Sequence, residues 1–143
     1  MPQESLHAPT ERRQPARALR VIVADDDRDT VDTLAKLLEG EGHVVQRVYN
    51  GKEVLPAVRI MRPDAVILDV ALPLMSGYAV AQALRESFTD VRRPLLIAIS
   101  GVWKDFADRR VAEQVGFDHY LVKPANPARL VGILDSLHGG KAG

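Results

Sequence analysis

The residues best able to do chemistry in this chain each follow a short apolar run. Asp25, Asp26 and Asp27 come after the run at 19–24, and Asp69 comes after 65–68. Ser100 and Gly101 come after 95–99, and Lys123 and Pro124 after 120–122. Grouped carboxylates repel one another and raise their own pKa values unless a cation neutralises them. No His or Cys falls among these pieces, so the available ligands are oxygens and the matching ion is a hard cation, Mg²⁺ foremost. A carboxylate beside such an ion can act as a nucleophile toward a phosphoryl group and give an aspartyl phosphate. The charge on the three phosphoryl oxygens then needs stabilising. Mg²⁺, the Lys123 ammonium and the Ser100 hydroxyl are donors of the right kind.

Those pieces can meet only if the elements before them lie side by side. The runs at 19–24, 44–48, 65–68, 95–99 and 120–122 are strand-length and rich in Val and Ile. Helical stripes lie between and after them. The first is Val31, Leu34, Leu37 and Leu38, closed by Gly40 as a C-cap. Val54, Leu55, Val58 and Met61 form the second, stopped before Pro63. Val80, Ala81 and Leu84 form a third, and Trp103, Ala107, Val111 and Val115 a fourth that ends at Gly116. Leu130, Ile133, Leu134 and Leu137 complete the set, with Pro127 in the first turn. Alternation of this kind predicts an α/β fold, a doubly wound five-stranded parallel sheet flanked by five helices. The run Val66-Ile67-Leu68 is apolar on both faces, as a central parallel strand requires. Ligands of such sheets bind outside the carboxyl ends of the strands, where the chemical residues sit.

At 143 residues the chain has a one-domain length, and 46% hydrophobic against 27% charged residues is an ordinary soluble balance. Basic and acidic residues number 19 each, so no nucleic-acid footprint and no anionic membrane surface is expected as the main partner. The absence of cysteine excludes disulfides and thiol chemistry, and no apolar run reaches the roughly 20 residues of a membrane helix. A cytoplasmic protein is the expectation. Residues 1–18, with three prolines and little apolar periodicity, read as a flexible arm. Residues 19–138 read as the folded domain and 139–143 as a frayed tail.

From about Arg20 to Leu137 the chain resembles the receiver domains of two-component response regulators and phosphorelays, whose fold is flavodoxin-like. The likeness is carried by the pieces at 21–27, 68–77, 100–101 and 120–124, in the family's order and spacing. It implies Asp69 as phosphoacceptor, and Asp25, Asp26, Asp69 and the Ala71 backbone carbonyl as holders of Mg²⁺. Lys123 would bind the phosphoryl group, Ser100 would be the switch hydroxyl and Tyr120 the switch aromatic. Pro73 and Gly77 would be structural, and the Lys123–Pro124 peptide bond is expected to be cis. The implied partners are a histidine kinase or a histidine phosphotransfer protein, followed by a downstream protein target. The face of the fourth helix, fifth strand and fifth helix is expected to serve either a target or a homodimer. The expected product is a stand-alone single-domain regulator that accepts a phosphoryl group rather than an enzyme. The piece at 116–124 looks most like receivers attached to hybrid histidine kinases.

Blander readings compete at several of these positions. Asp27 reads better as a cap for the next helix than as a ligand, and Ser100 also suits a cap. Tyr120 fits a buried strand residue as well as a switch. Trp103, Phe106, Val111 and Val115 read as core more than interface, and His119 as an ordinary exposed strand residue. Ala71 is small where the family often has a longer side chain, and Gly101 stands where alanine is usual. The main rival is a small Mg²⁺-dependent phosphatase of the haloacid dehalogenase kind. Its Asp-x-Asp nucleophile is followed by Thr or Val, whereas Arg28-Asp29 follow the aspartates here. A flavodoxin-like carrier would need a Ser/Thr/Gly-rich phosphate loop after the first strand, where this chain has three aspartates.

Overall fold

The computed structural model describes residues 18–88, 93–101 and 114–142. Strands β1 (Arg20–Ala24), β2 (Val44–Val48), β3 (Ala65–Asp69), β4 (Leu95–Ser100) and β5 (His119–Val122) form one sheet in the order β2-β1-β3-β4-β5. Every pairing is parallel. The described helices are α1 (Arg28–Gly40), α2 (Val54–Met61), α3 (Gly77–Ser87) and α4 (Pro127–Ala142), and a 3₁₀ turn at Gly51–Glu53 leads into α2. The expected helix bearing Trp103, Phe106, Ala107 and Val111 lies outside the described residues, apart from Gln114 and Val115, which are helical. The α/β doubly wound class is as the alternation predicts.

Period-two alternation of the strands divides the core. Ile22, Ala24, Val66, Leu68, Leu96 and Ala98 face one side and pack with α2 and α3. Val21, Val23, Ala65, Ile67, Ile97 and Ile99 face the other and pack with α1 and α4. β3 is buried along its whole length, as its unbroken apolar run demands.

Helices α1, α3 and α4 start where a side chain satisfies a free N–H group, whereas α2 continues from the 3₁₀ turn without a side-chain cap. Asp27 caps α1, its carboxylate accepting from the Asp29 N–H at 3.1 Å and the Thr30 hydroxyl at 3.0 Å. Ser76 caps α3 through the Ala79 N–H, and Asn126 accepts from Arg129 at the start of α4. Pro127 is the first residue of α4, where its missing N–H is harmless. The buried stripe of α1 is Val31, Leu34, Ala35 and Leu38. Its expected end needs correcting: the helix runs through Gly40, because the Glu41 N–H still reaches the Leu37 and Leu38 carbonyls. The reversal comes at Gly42, whose φ of 97° only glycine adopts freely. α2 stops at Arg62, left-handed at φ 54°, directly before Pro63. The helical backbone of α4 includes Gly139 and Gly140, read above as part of the frayed tail; glycine is a poor helix former, but propensity is a weak prior.

The edge of the sheet where the strands begin is closed by internal polar contacts. Buried His43 accepts the Leu19 N–H through Nδ1 at 3.1 Å, and Asp64 accepts the Arg20 N–H at 2.9 Å. Arg85 donates through Nε to the Gly116 carbonyl at 2.9 Å and through Nη1 to the Pro94 carbonyl at 3.0 Å. Its Nη2 reaches the same Gly116 oxygen and the Asp118 carboxylate, the latter at 2.8 Å. Asp118 also accepts the Leu96 N–H at 2.8 Å. Burial lowers the pKa of Arg85, with Asp118 opposing.

Candidate active site

At the opposite edge the strand order places a crevice. From β1 the chain goes outward to β2, then crosses back over β1 to β3, so the β1/β3 boundary is the topological switch point. Ala24 is paired with Leu68, so Asp25 and Asp69 leave adjacent strands at the same level. One oxygen each from Asp25, Asp26 and Asp69 lies within 4.8 Å of the others. Asp25 and Asp69 are buried, and Asp26 is exposed.

Local hydrogen bonds aim these carboxylates. Asp25 Oδ1 accepts the Asp27 N–H at 3.0 Å, and Asp69 Oδ1 accepts the Ala71 N–H at 2.9 Å. Their other oxygens meet Lys123. Nζ donates to Asp69 Oδ2 at 3.0 Å and forms an ion pair with Asp25 Oδ2 at 2.6 Å. Asp25 Oδ2 is fully buried, and the Lys123 ammonium is its recorded partner. Burial pushes the Asp25 carboxyl up, and the Asp69 charge adds to this; Lys123 and the Asp27 N–H oppose it without cancelling it. Burial works against the Lys123 ammonium, but its bonds to Asp25 and Asp69 outweigh it and the pKa is raised.

Three carboxylates against one ammonium leave two negative charges in a half-buried crevice. An all-oxygen donor set of that charge fits a hard divalent cation. Among the described residues no imidazole or thiolate belongs to the cluster.

The remaining residues predicted from the sequence come to the same edge. Ser100 is buried at the end of β4, and its carbonyl accepts the Lys123 N–H at 2.8 Å. The Lys123–Pro124 bond is cis. Gly77 is required by close approach: a Cβ there would lie 2.5 Å from the Asp69 carbonyl oxygen. The Pro73 carbonyl accepts the Gly51 N–H at 3.0 Å, a contact the sequence did not announce beyond the turn signal of Asn50-Gly51. Tyr120 stands somewhat apart. Its ring lies edge-on to Phe117 at 6.4 Å, and its hydroxyl donates to the Phe117 carbonyl at 3.4 Å. Asp27 is a cap, as its blander reading held. A cleft of about 530 Å³, lined by Thr30, Thr33, Leu34, Ile99, Lys123 and Pro124 among others, opens beside the lysine.

Comparison with known proteins gives a consistent result. The family described as the response regulator receiver domain matches residues 21–135. The chain is 38% identical over 118 residues to the transcriptional regulatory protein PrrA of Mycobacterium tuberculosis, covering 82% of this chain and 49% of that protein. It thus spans about half the length of that relative. A CheY-like receiver domain protein of Methanospirillum hungatei shares the fold, with TM-score 0.78 at 21% identity over 88% of this chain and 98% of the other. The receiver domain of a sensor histidine kinase of Pseudomonas aeruginosa aligns with TM-score 0.73 at 26% identity, covering 86% of this chain and 99% of its own, and holds a magnesium ion in its active-site cleft. Among the described residues no helix is long and apolar enough to cross a membrane. The matched span runs from the second residue of β1 into α4 and includes every residue of the acidic crevice, so this chain belongs to the response regulator receiver domain family.

Proposed function

We propose that the chain accepts a phosphoryl group on Asp69 from a phosphohistidine of a histidine kinase or phosphotransfer protein. The observation that carries this reading is the crevice at the switch point, where Lys123 spans Asp25 and Asp69 and two negative charges are left over. Asp25, Asp26, Asp69 and the Ala71 carbonyl would hold Mg²⁺. The chemistry supplied by the bound ion is neutralisation of charge on the phosphoryl oxygens.

An Asp69 carboxylate oxygen forms the new O–P bond as the donor's N–P bond breaks. The electron pair of that bond stays on the imidazole nitrogen, and the ring, protonated at its other nitrogen, leaves as neutral histidine. Lys123 keeps its ammonium at the Asp69 carboxylate throughout and can pair with a phosphoryl oxygen. Ser100, at the end of β4, would donate its hydroxyl to the phosphoryl group, and Tyr120 would follow by changing its packing against Phe117. The face altered by that movement would serve a downstream protein or a second copy of the chain, a shift in population rather than a new fold. The domain responsible would be residues 19–138, acting as a phosphoacceptor in the cytoplasm. Membership of the receiver family leaves the phosphatase reading without support.

The test is intact mass after incubation with acetyl phosphate and Mg²⁺, beside Asp69→Asn and an EDTA control. One labile phosphoryl adduct on the parent alone is expected. An adduct retained by Asp69→Asn at the same Mg²⁺ concentration would sink the assignment.

A further inference from the structure

We infer that the turn Tyr49-Asn50-Gly51 is the spacer that holds the loop of Asp25 and Asp26 at the right distance from the loop of Ala71, with Gly51 a positioning residue for the metal. The inference rests on the metal site proposed above and adds residues outside it.

The strand end and turn at 48–51 are held on both sides, by Asp25 and the first residue of α1 on one and by the loop after Ala71 on the other. On one side the Val48 carbonyl accepts the Asp25 N–H at 3.1 Å, and the Arg28 guanidinium lies 4.0 Å from the centre of the Tyr49 ring. Asn50 then bends the chain by accepting the Glu53 N–H at 3.1 Å. On the other side buried Gly51 donates its N–H to the Pro73 carbonyl, two residues beyond Ala71. This approach leaves no room for a side chain. A Cβ at position 51 would lie 1.7 Å from the Met75 carbonyl oxygen and 2.6 Å from its carbon. Those atoms are backbone, so they cannot rotate aside; the whole loop would have to retreat.

Leu72 and Met75 pack this loop (70–76) against the core, and its other recorded backbone hydrogen bonds lie at its two ends. The Val70 N–H bonds to Ile99, and the Gly77 N–H returns to Val70. Its middle carries Leu74 in the left-handed region at φ 70°, with its side chain mostly exposed, a conformation that costs free energy and persists only when its surroundings impose it. Among the described residues, Gly51 provides the hydrogen bond recorded from a neighbouring turn to that middle section. Mg²⁺ tolerates little error in ligand placement, with bonds of about 2.1 Å and near-octahedral angles, so a displaced loop weakens it directly.

The test is calorimetric titration of Mg²⁺ into the parent, Gly51→Ala and Gly40→Ala, without phosphodonor. Position 40 has open space for a methyl group and serves as the control. Gly51→Ala should raise the Mg²⁺ Kd by about 10–100-fold, the usual effect of removing support behind a ligand. Half-saturating Mg²⁺ for labelling by acetyl phosphate should rise in parallel, while the rate at saturating Mg²⁺ returns to that of the parent. Gly51→Ala with the parent Kd overturns the inference, and a parent that does not bind Mg²⁺ overturns the site itself. Should Gly51→Ala fail to fold, the parent alone suffices. Its Gly51 amide resonance should move through a Mg²⁺ titration with the midpoint of the Ala71 amide, and a Gly51 amide unmoved at saturation overturns the inference.

Discussion

The two edges of the sheet hold similar polar inventories and treat them in opposite ways. Where the strands begin, Arg85 and Asp118 are matched one to one, and their remaining hydrogen-bonding groups go to the backbone at Pro94, Leu96 and Gly116. His43 and Asp64 likewise bond to backbone N–H groups at the start of β1. Where the strands end, three carboxylates share one cation, Lys123. Buried charges matched one to one fix a structure; charges in excess are costly and mark a place suited to a ligand. The first edge is built for stability and the second at its expense.

Substitutions can break that contrast. The largest effect is expected from Lys123→Ala, which removes the side chain that bridges Asp25 and Asp69. Labelling by acetyl phosphate should slow by about 10²–10³-fold, as when one donor to a developing charge is lost, and near-parent kinetics would show the lysine to be dispensable. Next is Arg85→Met, which should cost on the order of 3 kcal/mol in urea unfolding, because Asp118 and two carbonyls lose a partly buried partner. Labelling per folded molecule should stay unchanged. The smallest effect carries the opposite sign. Asp25→Asn keeps an acceptor for the Asp27 N–H and removes one excess charge, so in EDTA it should raise Tm while Mg²⁺ binding is lost. A fall in Tm as large as that of Arg85→Met would erase the distinction between the edges.

The site was legible in the sequence because each of its members stands at the end of a strand, and strands announce themselves by short Val- and Ile-rich runs. Asp25, Asp69, Ser100 and Lys123 needed only the right number of strands in parallel to be brought together. Tyr120 was ambiguous and stays in contact with core and carbonyl alike, since a half-buried aromatic fits both roles. The reversal after α1 was misplaced by two residues, as either Gly40 or Gly42 suits a left-handed turn and only the backbone bonds of Glu41 choose between them. Gly51 and Arg85 were missed for a different reason. Their partners, Met75 and Pro73 for one and Gly116 and Asp118 for the other, are distant in sequence, and no local periodicity reports a contact of that kind.

The pairing of Ala24 with Leu68 also bears on where this chain can change length. A residue inserted within β1 or β3 would slide one carboxylate past the other by about 3.3 Å and turn its side chain to the opposite face. The same insertion between β2 and α2 would disturb the seat of Gly51 against Met75. At the far edge, between α1 and β2 or between α2 and β3, an extra residue leaves the register of every strand and the spacing of every carboxylate untouched. Length variation among descendants of this chain should therefore accumulate on one side of the sheet and be purged from the other.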